Sequence, residues 1–332
     1  MEAKSNQGTN MRYEWVDVCK GLAILLVIIG HILPPGILKT WIYTFHMPIF
    51  FMVSGFFLIK NIQVSFITFL KKRTKRLLVP FYVYSFALLI PFFYLQSYFI
   101  NRHGLQVPFS LVDHCIGQLL ALRSDWKFTG YLWFLPCLLV STTIVWSIMK
   151  YGLKYKYIYL ALAVISGLIY NYYLSYSLPF STDMALVATL FVFAGIYIFS
   201  YVERITWKIV FLCLVLVTII SQVNGFVDMW SSDLGNSYAL FYIGGLSGSV
   251  LVIRLSMMLK NCNILQNGGR SSLIIYILHF IFLPFISSAL RALASNIIIL
   301  DILSIVFGVV LFALLIPVSK FLERRVPWSF GV

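Results

Sequence analysis

Residues 12–35 read RYEWVDVCKGLAILLVIIGHILPP. The stretch from Leu22 to Leu33 is interrupted only by Gly30 and His31, and Pro34-Pro35 reads as a turn. A helix needs about 20 mostly apolar residues to cross the hydrocarbon of a bilayer, and this segment supplies them. Read alone, it also resembles the core of a signal peptide. No small-residue cleavage site follows it, so it is read as a first spanning helix.

Working outward, apolar stretches recur at 41–60, 75–100, 129–149, 156–173, 184–202, 207–223, 236–258, 272–291 and 296–320. Of the 332 residues, 61% are hydrophobic and only 11% are charged. A soluble domain carries roughly 25% charged residues, so too few remain here to cover a water-facing surface. Backbone groups in lipid must be satisfied within the segment. The expected fold class is therefore an all-α integral membrane protein, a bundle of about ten transmembrane helices. The polar residues 1–12 are expected to be a disordered cytoplasmic N-terminus, 13–325 a single membrane-embedded domain and 326–332 a short C-terminal tail. No repeat divides the chain.

The formal net charge is +14, from 25 Lys+Arg against 11 Asp+Glu. In so apolar a chain this excess points to anionic lipid and to topology, not to nucleic acid. Twenty of the basic residues fall in one set of alternate loops and five in the other. The positive-inside rule then places both termini in the cytoplasm. The expected location is the cell (inner) membrane, multi-pass. The largest outer segment, 101–128, contains His114 and Trp126 and is expected to be a partly ordered lid. The outer loops 174–183 and 224–235 carry Asp183, Asp228 and Asp233. Five cysteines without C-x-x-C spacing argue against a disulfide framework or a zinc site. No metal constellation is visible around His31, His46 and His279.

Several residues are suited to chemistry. Lys20 and His31 are eleven positions apart, about 16 Å along one face of a helix. Asp17, three before Lys20, shares that stripe and is an ion-pair candidate. An ionisable residue deep in a bilayer helix is a functional candidate by default, and histidine is suited to removing a hydroxyl proton. The alternative for His31 is a hydrogen bond between helices. The second segment contains FHMPIFFMVSGFFLIK, with His46 near the outer surface, Pro48 suited to a first helical turn, and Ser54-Gly55 suited to close helix approach. His46 lines an acceptor entrance or ties a helix end. In KKRTKRLLVPFY, Arg73 and Arg76 share a face and can grip one phosphate with paired donors. A lipid-headgroup cluster is the other reading. Trp133, in GYLWFLPCLLV, belongs to an aromatic belt or a cavity wall. In NGGRSSLIIYILHFIFLPF, Gly268-Gly269 is read as a loop, and His279 lies inside the next helix with Tyr276 on the same side.

Taken in order, these residues resemble acyltransferase family 3, the multi-pass membrane O-acyltransferases. The carriers are His31 eleven positions after a basic residue, FHMPIFF…SGF, the Arg73/Arg76 pair leading to Pro80, YLWFL, and SSLIIYILH. The FHMPIFF form, with Asp183 before the sixth helix, looks most like the fucose 4-O-acetylase-like branch. The resemblance implies an acyl-CoA donor, usually acetyl-CoA, reached from the cytoplasm, and an acceptor hydroxyl on a sugar or lipid-linked glycan of the cell envelope. It maps a general base onto His31 and contacts to the CoA phosphates onto Arg73 and Arg76. Where the family commonly has Arg, this chain has Lys20, which keeps the charge but not the bidentate geometry. His46, Ser54, Trp133 and His279 would shape the cavity or orient the acceptor. A transporter or flippase for a lipid-linked sugar is the rival reading; such proteins often carry internal repeats.

Overall fold

The computed structural model describes residues 13–59, 61–103, 111–123, 130–174, 176–293 and 295–331. Expectations for 1–12, Lys60, Trp126 and Lys127 therefore lie outside the described residues, as do those for the side chains of Arg102, His114 and Arg291. The described chain is helical, without a strand among the described residues; Asp228 and Asp233 form an isolated bridge. The helices are α1 (Glu14–Ile32), α2 (Ile37–Tyr43), α3 (His46–Ile59), α4 (Phe66–His103), α5 (Leu111–Leu119), α6 (Phe134–Tyr151) and α7 (Lys156–Tyr173). They continue with α8 (Thr182–Tyr201), α9 (Trp207–Asn224), α10 (Tyr238–Met258), α11 (Asn263–Arg270), α12 (Ser272–Leu293) and α13 (Ile297–Arg325).

Nine segments among the described residues are long and apolar enough to cross a membrane. The stretch expected as a third span, 75–100, lies in the 38-residue α4, which is not one of the nine. The segment expected as one helix over 41–60 is two, broken between Tyr43 and His46. Pro48 explains the break. It has no N–H to offer Thr44, four residues earlier, and its ring crowds that carbonyl. Gly268 and Gly269, expected in a loop, lie inside α11. The tail after Arg325 is docked: Pro327–Phe330 forms a short helical turn, and Phe330 stacks on Tyr84 of α4 at 5.1 Å.

α1 stands at the centre, packed against α3, α10, α11, α12 and α13. The periphery is apolar outward: Tyr157 and Ile165 on α7 and Phe211 and Leu212 on α9 are exposed, as side chains facing lipid should be.

Two helix crossings are made at backbone contact. A Cβ on Gly55 of α3 would run into the carbonyl oxygen of Val192 on α8, and one on Gly195 of α8 into that of Met52 on α3. On α1 a Cβ at Gly21 would meet the Leu265 carbonyl, and one on Gly269 of α11 would meet the Asp17 carbonyl. Helices in lipid gain little from hydrophobic burial against each other, so close packing of small residues holds them together. Gly195→Val is expected to lower stability by about 1–3 kcal/mol, the usual effect of overpacking, seen as a lower melting temperature in detergent. Ser54→Ala beside Gly55 should leave it nearly unchanged.

Candidate active site

His31 occupies the last turn of α1. Pro34 and Pro35 end that helix and let the chain return as α2. The return places the Tyr43 hydroxyl 3.3 Å from His31 Nδ1, and either group can donate. From the other side comes His279, whose ring centre lies 5.5 Å from that of His31. His31 is half-buried, while His279 is fully buried. The two histidines, 248 positions apart in the chain, are thus neighbours.

The tautomer of His279 follows from its partner. Nδ1 lies 2.7 Å from the Tyr276 carbonyl oxygen, which only accepts, so Nδ1 carries the hydrogen and donates it. Nε2 is then a lone-pair acceptor, buried and without a hydrogen-bond partner among the described residues. Native structures pair nearly all buried polar atoms. An orphan acceptor beside a second histidine is suited to receive a hydrogen bond from a small polar group entering the site.

Two sequence motifs meet here. Tyr131 of YLWFL donates its hydroxyl to the Ile277 carbonyl at 3.0 Å, and Tyr276 donates back to the Tyr131 carbonyl. This reciprocal clasp pins the start of α6 to α12 one turn before His279. Tyr131 also stacks on Phe280 at 4.2 Å, and Phe280 stands edge-on to His31. His46 donates from Nδ1 to the Ile42 carbonyl at 3.1 Å and lies against the Tyr43 ring at 4.6 Å, so it supports Tyr43 from behind. Lys39 is also near, its ammonium 5.4 Å from the Tyr43 ring centre and bonded to the Leu33 carbonyl at 3.1 Å.

Above this centre the interhelical segments are clamped by Arg123. Its guanidinium pairs with Asp183 at the start of α8, and donates to the Met229 carbonyl at 2.7 Å and to Ser232 Oγ at 2.8 Å. One buried cation therefore joins the turn after α5, the start of α8 and the 225–237 loop. Trp133 is buried beneath it, the ring centre 6.0 Å from the guanidinium, and so is no lipid-facing belt residue. Asn224 shapes the same loop, accepting from Ser237 N at 2.7 Å and donating to the Leu234 carbonyl at 3.0 Å. Burial in this loop pushes the Asp228 carboxyl above its ordinary range, despite bonds from Trp230 N and Ser231 that work the other way.

The other end of the bundle carries a second set of basic residues. The α1–α11 crossing brings Arg270 Nε to 3.3 Å from Asp17, while Lys20 is 3.9 Å from the same carboxylate and 5.2 Å from the Phe57 ring centre. Arg73, half-buried on α4, lies over Phe69 at 5.7 Å, and Arg76 is exposed one turn on. The C-terminal turn seats Gly331 against the backbone of Lys75 and Arg76. Ser54 sits half-buried on α3 beside Gly55, which makes the α3–α8 crossing.

The sequence reading put His31 and His279 in one cavity, the first as base and the second as a cavity residue, without foreseeing that their rings lie side by side. It did not pick out Tyr43, Tyr131, Arg123 or Arg270. Tyr43 and Tyr131 are two tyrosines among 20, and Arg123 lay in a polar loop with nothing to mark its partners. Among the described residues no group of three His, Cys, Asp or Glu side chains is close enough to hold a metal ion.

A family model described as an acyltransferase domain matches residues 13–322, and the chain belongs to that family, acyltransferase family 3. It is thus a multi-pass membrane protein of an acyltransferase family. Nodulation protein NolL of Sinorhizobium fredii (strain NBRC 101917 / NGR234) is 29% identical over 173 residues. That match spans 48% of this chain and 43% of the relative, less than half the length of either. No solved structure matches the chain.

Removing one partner of a buried ion pair leaves the other charge uncompensated, at about 3–5 kcal/mol. Arg123→Met should therefore lower the melting temperature sharply, and adding Asp183→Leu should restore part of it. The raised Asp228 carboxyl disfavours the folded chain once ionised, so the penalty grows as pH rises past the unfolded-state value and is absent below it. Asp228→Asn, which keeps an acceptor for Trp230 N–H, should raise the melting temperature near pH 7. It should make no difference in acid below the ordinary carboxylate range.

Proposed function

We propose that the protein moves an acyl group, acetyl in the simplest case, from cytoplasmic acyl-CoA to a hydroxyl of a sugar or lipid-linked glycan of the cell envelope. The observation that carries this reading is the His31–Tyr43–His279 centre inside a chain of an acyltransferase family. With Nδ1–H of His31 donated to the Tyr43 oxygen, His31 Nε2 is free to take the acceptor's proton. The acceptor oxygen then attacks the thioester carbonyl. As the tetrahedral carbon collapses, the C–S bond breaks and the CoA sulfur leaves with the proton returned from His31. His279 Nε2 accepts a hydrogen bond from the incoming group and orients it. No metal or resident cofactor is needed for this exchange; acyl-CoA is a substrate.

The remaining assignments belong to the same proposal. The basic end of the bundle faces the cytoplasm in the cell membrane, as the loop charges suggest. Arg73 and Arg76 take CoA phosphates there, with Lys20 adding charge from α1. From Trp15 to His31 is about 24 Å at 1.5 Å per residue, so the thioester arm must thread deep into the bundle to reach the base. Members of the fucose 4-O-acetylase-like branch would share such an acceptor. His46 and Trp133 hold Tyr43 and the outer clamp around the acceptor's entrance, and Ser54 is the least supported of the cavity residues. The transporter alternative gains no observation from the fold.

Membranes holding wild type or His31→Ala, at matched abundance, would be given radiolabelled acetyl-CoA and an envelope-glycan extract. Base-labile label on the glycan is expected with wild type and none above background with His31→Ala. Tyr43→Phe, which loses one hydrogen bond, is expected to reduce the rate by about tenfold, the equivalent of 1.4 kcal/mol. Equal labelling by wild type and His31→Ala would remove the histidine from the mechanism. Absence of label with either would count against the donor and acceptor named here.

A further inference from the structure

At the basic end of the bundle, away from Arg73 and Arg76, a cavity of about 760 Å³ opens between the start of α1 and the ends of α8 and α10. Its walls are aromatic and cationic: Tyr13, Trp15 and Phe199 on one side, and Arg204, Arg254 and Lys260 on the other. Among the described residues Glu203 is the only carboxylate in the lining, against Arg204, Arg254 and Lys260, which leaves those four with a net positive charge of two. Trp15 and Phe199 stack at 4.8 Å and form a firm wall. Beyond them the space narrows to an apolar crevice between Met52, Val53 and Ile253, too small to hold a chain. A ligand therefore enters from the basic end and stops at that wall.

Arg254 marks the cavity as built for an anion. Its guanidinium lies over the exposed Trp207 at 5.5 Å, which fixes its plane. Its Nε–H is buried without an acceptor among the described residues. A guanidinium donates in a planar fork that matches two phosphate oxygens. Arg204, held over Tyr201 at 5.4 Å, and the exposed Lys260 add charge. The volume suits a ligand of cofactor size.

We propose that this cavity is a second anion site, separate from the Arg73/Arg76 pair, that takes a phosphate ester with an aromatic or apolar body. Arg254, Arg204 and Lys260 hold the phosphate, and the aromatic wall holds the body. Two sources offer this chemistry at that end of the bundle: a nucleotide phosphate from the water and the headgroup of an anionic lipid. The inference stands on the cavity alone and does not require the acyl-transfer reading.

The test uses the full chain purified in a neutral detergent, with labelled adenosine 3′,5′-bisphosphate as the probe. Wild type is expected to bind it saturably. Arg254→Gln/Lys260→Gln should weaken binding by at least about tenfold, as losing one charge-assisted contact would. Arg73→Gln/Arg76→Gln, in the proposed donor site, should remove a separate class of sites and leave the Arg254/Lys260-dependent class in place. In a second arm, native mass spectrometry reads phosphatidylglycerol retained after extraction from mixed vesicles. Retention by wild type and loss in the Arg254/Lys260 variant, with no nucleotide binding, would support the site with lipid as the source. If the double variant does not fold, Lys260→Gln alone, at an exposed position, carries both arms. A pocket variant that matches wild type in both arms overturns the proposal. So does nucleotide binding lost only with Arg73 and Arg76, which would leave the acyl-donor reading intact.

Discussion

Helices in lipid are not pushed together by water, so their positions depend on where two backbones can touch. Here that happens where Gly55 meets α8 and Gly195 meets α3, and again where Gly21 and Gly269 join α1 to α11. The first crossing holds α3 upright beneath Tyr43 and His46. The second fixes the height of α1, and with it the level at which His31 enters the bundle. It also decides which charge meets Asp17, because Arg270 closes α11 one residue after Gly269. The electrostatics of the basic end are therefore a consequence of glycine packing.

Polar groups inside the bundle are costly unless paired, and most are paired locally. Ser141, Thr142, Ser249, Ser256 and Ser319 each bond back to a carbonyl three or four residues earlier on their own helix. Such residues ask nothing of their neighbours. Among the described residues Arg123 Nε, Ser181 Oγ and Ser304 Oγ are buried without a hydrogen-bond partner, and two further such atoms line a candidate site. Among the described residues, His279 keeps a lone pair without a donor at the His31 end of the bundle, and Arg254 keeps a donor without an acceptor at the basic end. One is an acceptor beside a base, the other a cation in a cavity, and each is placed where a ligand would supply the missing half.

The Arg123 clamp shows how far sequence reading reaches. Asp183 was visible as an acid before an apolar helix, and Arg123 as an isolated cation in a polar segment. Nothing in their spacing joins them, since they are 60 positions apart with α6 and α7 between. Tyr131 and Tyr276 were each inside a motif, yet the clasp between them exists only because α6 and α12 lie side by side. Trp133 taken alone read as a belt residue, because a tryptophan near a helix end usually is one, while the family resemblance put it in the cavity wall. Burial beneath Arg123 depends on the loop folding over it.

By itself the sequence determined the solvent and the class of structure. Its 11% of charged residues cannot cover a surface in water, and apolar stretches of spanning length in lipid must be helices. It also marked His31 and His279, because ionisable residues within apolar helices are functional candidates, and the Arg73/Arg76 pair, because two arginines three apart share a helix face and can grip one phosphate. The tertiary structure decided which of them meet. Two histidines in different helices become neighbours through packing contacts, not through periodicity. The break at Tyr43 that supplies the third member comes from a proline acting on a carbonyl four residues back. The cavity at Arg254 was illegible for the same reason: its walls come from three helices, and proximity between helices in lipid is written in backbone contacts that no single segment contains.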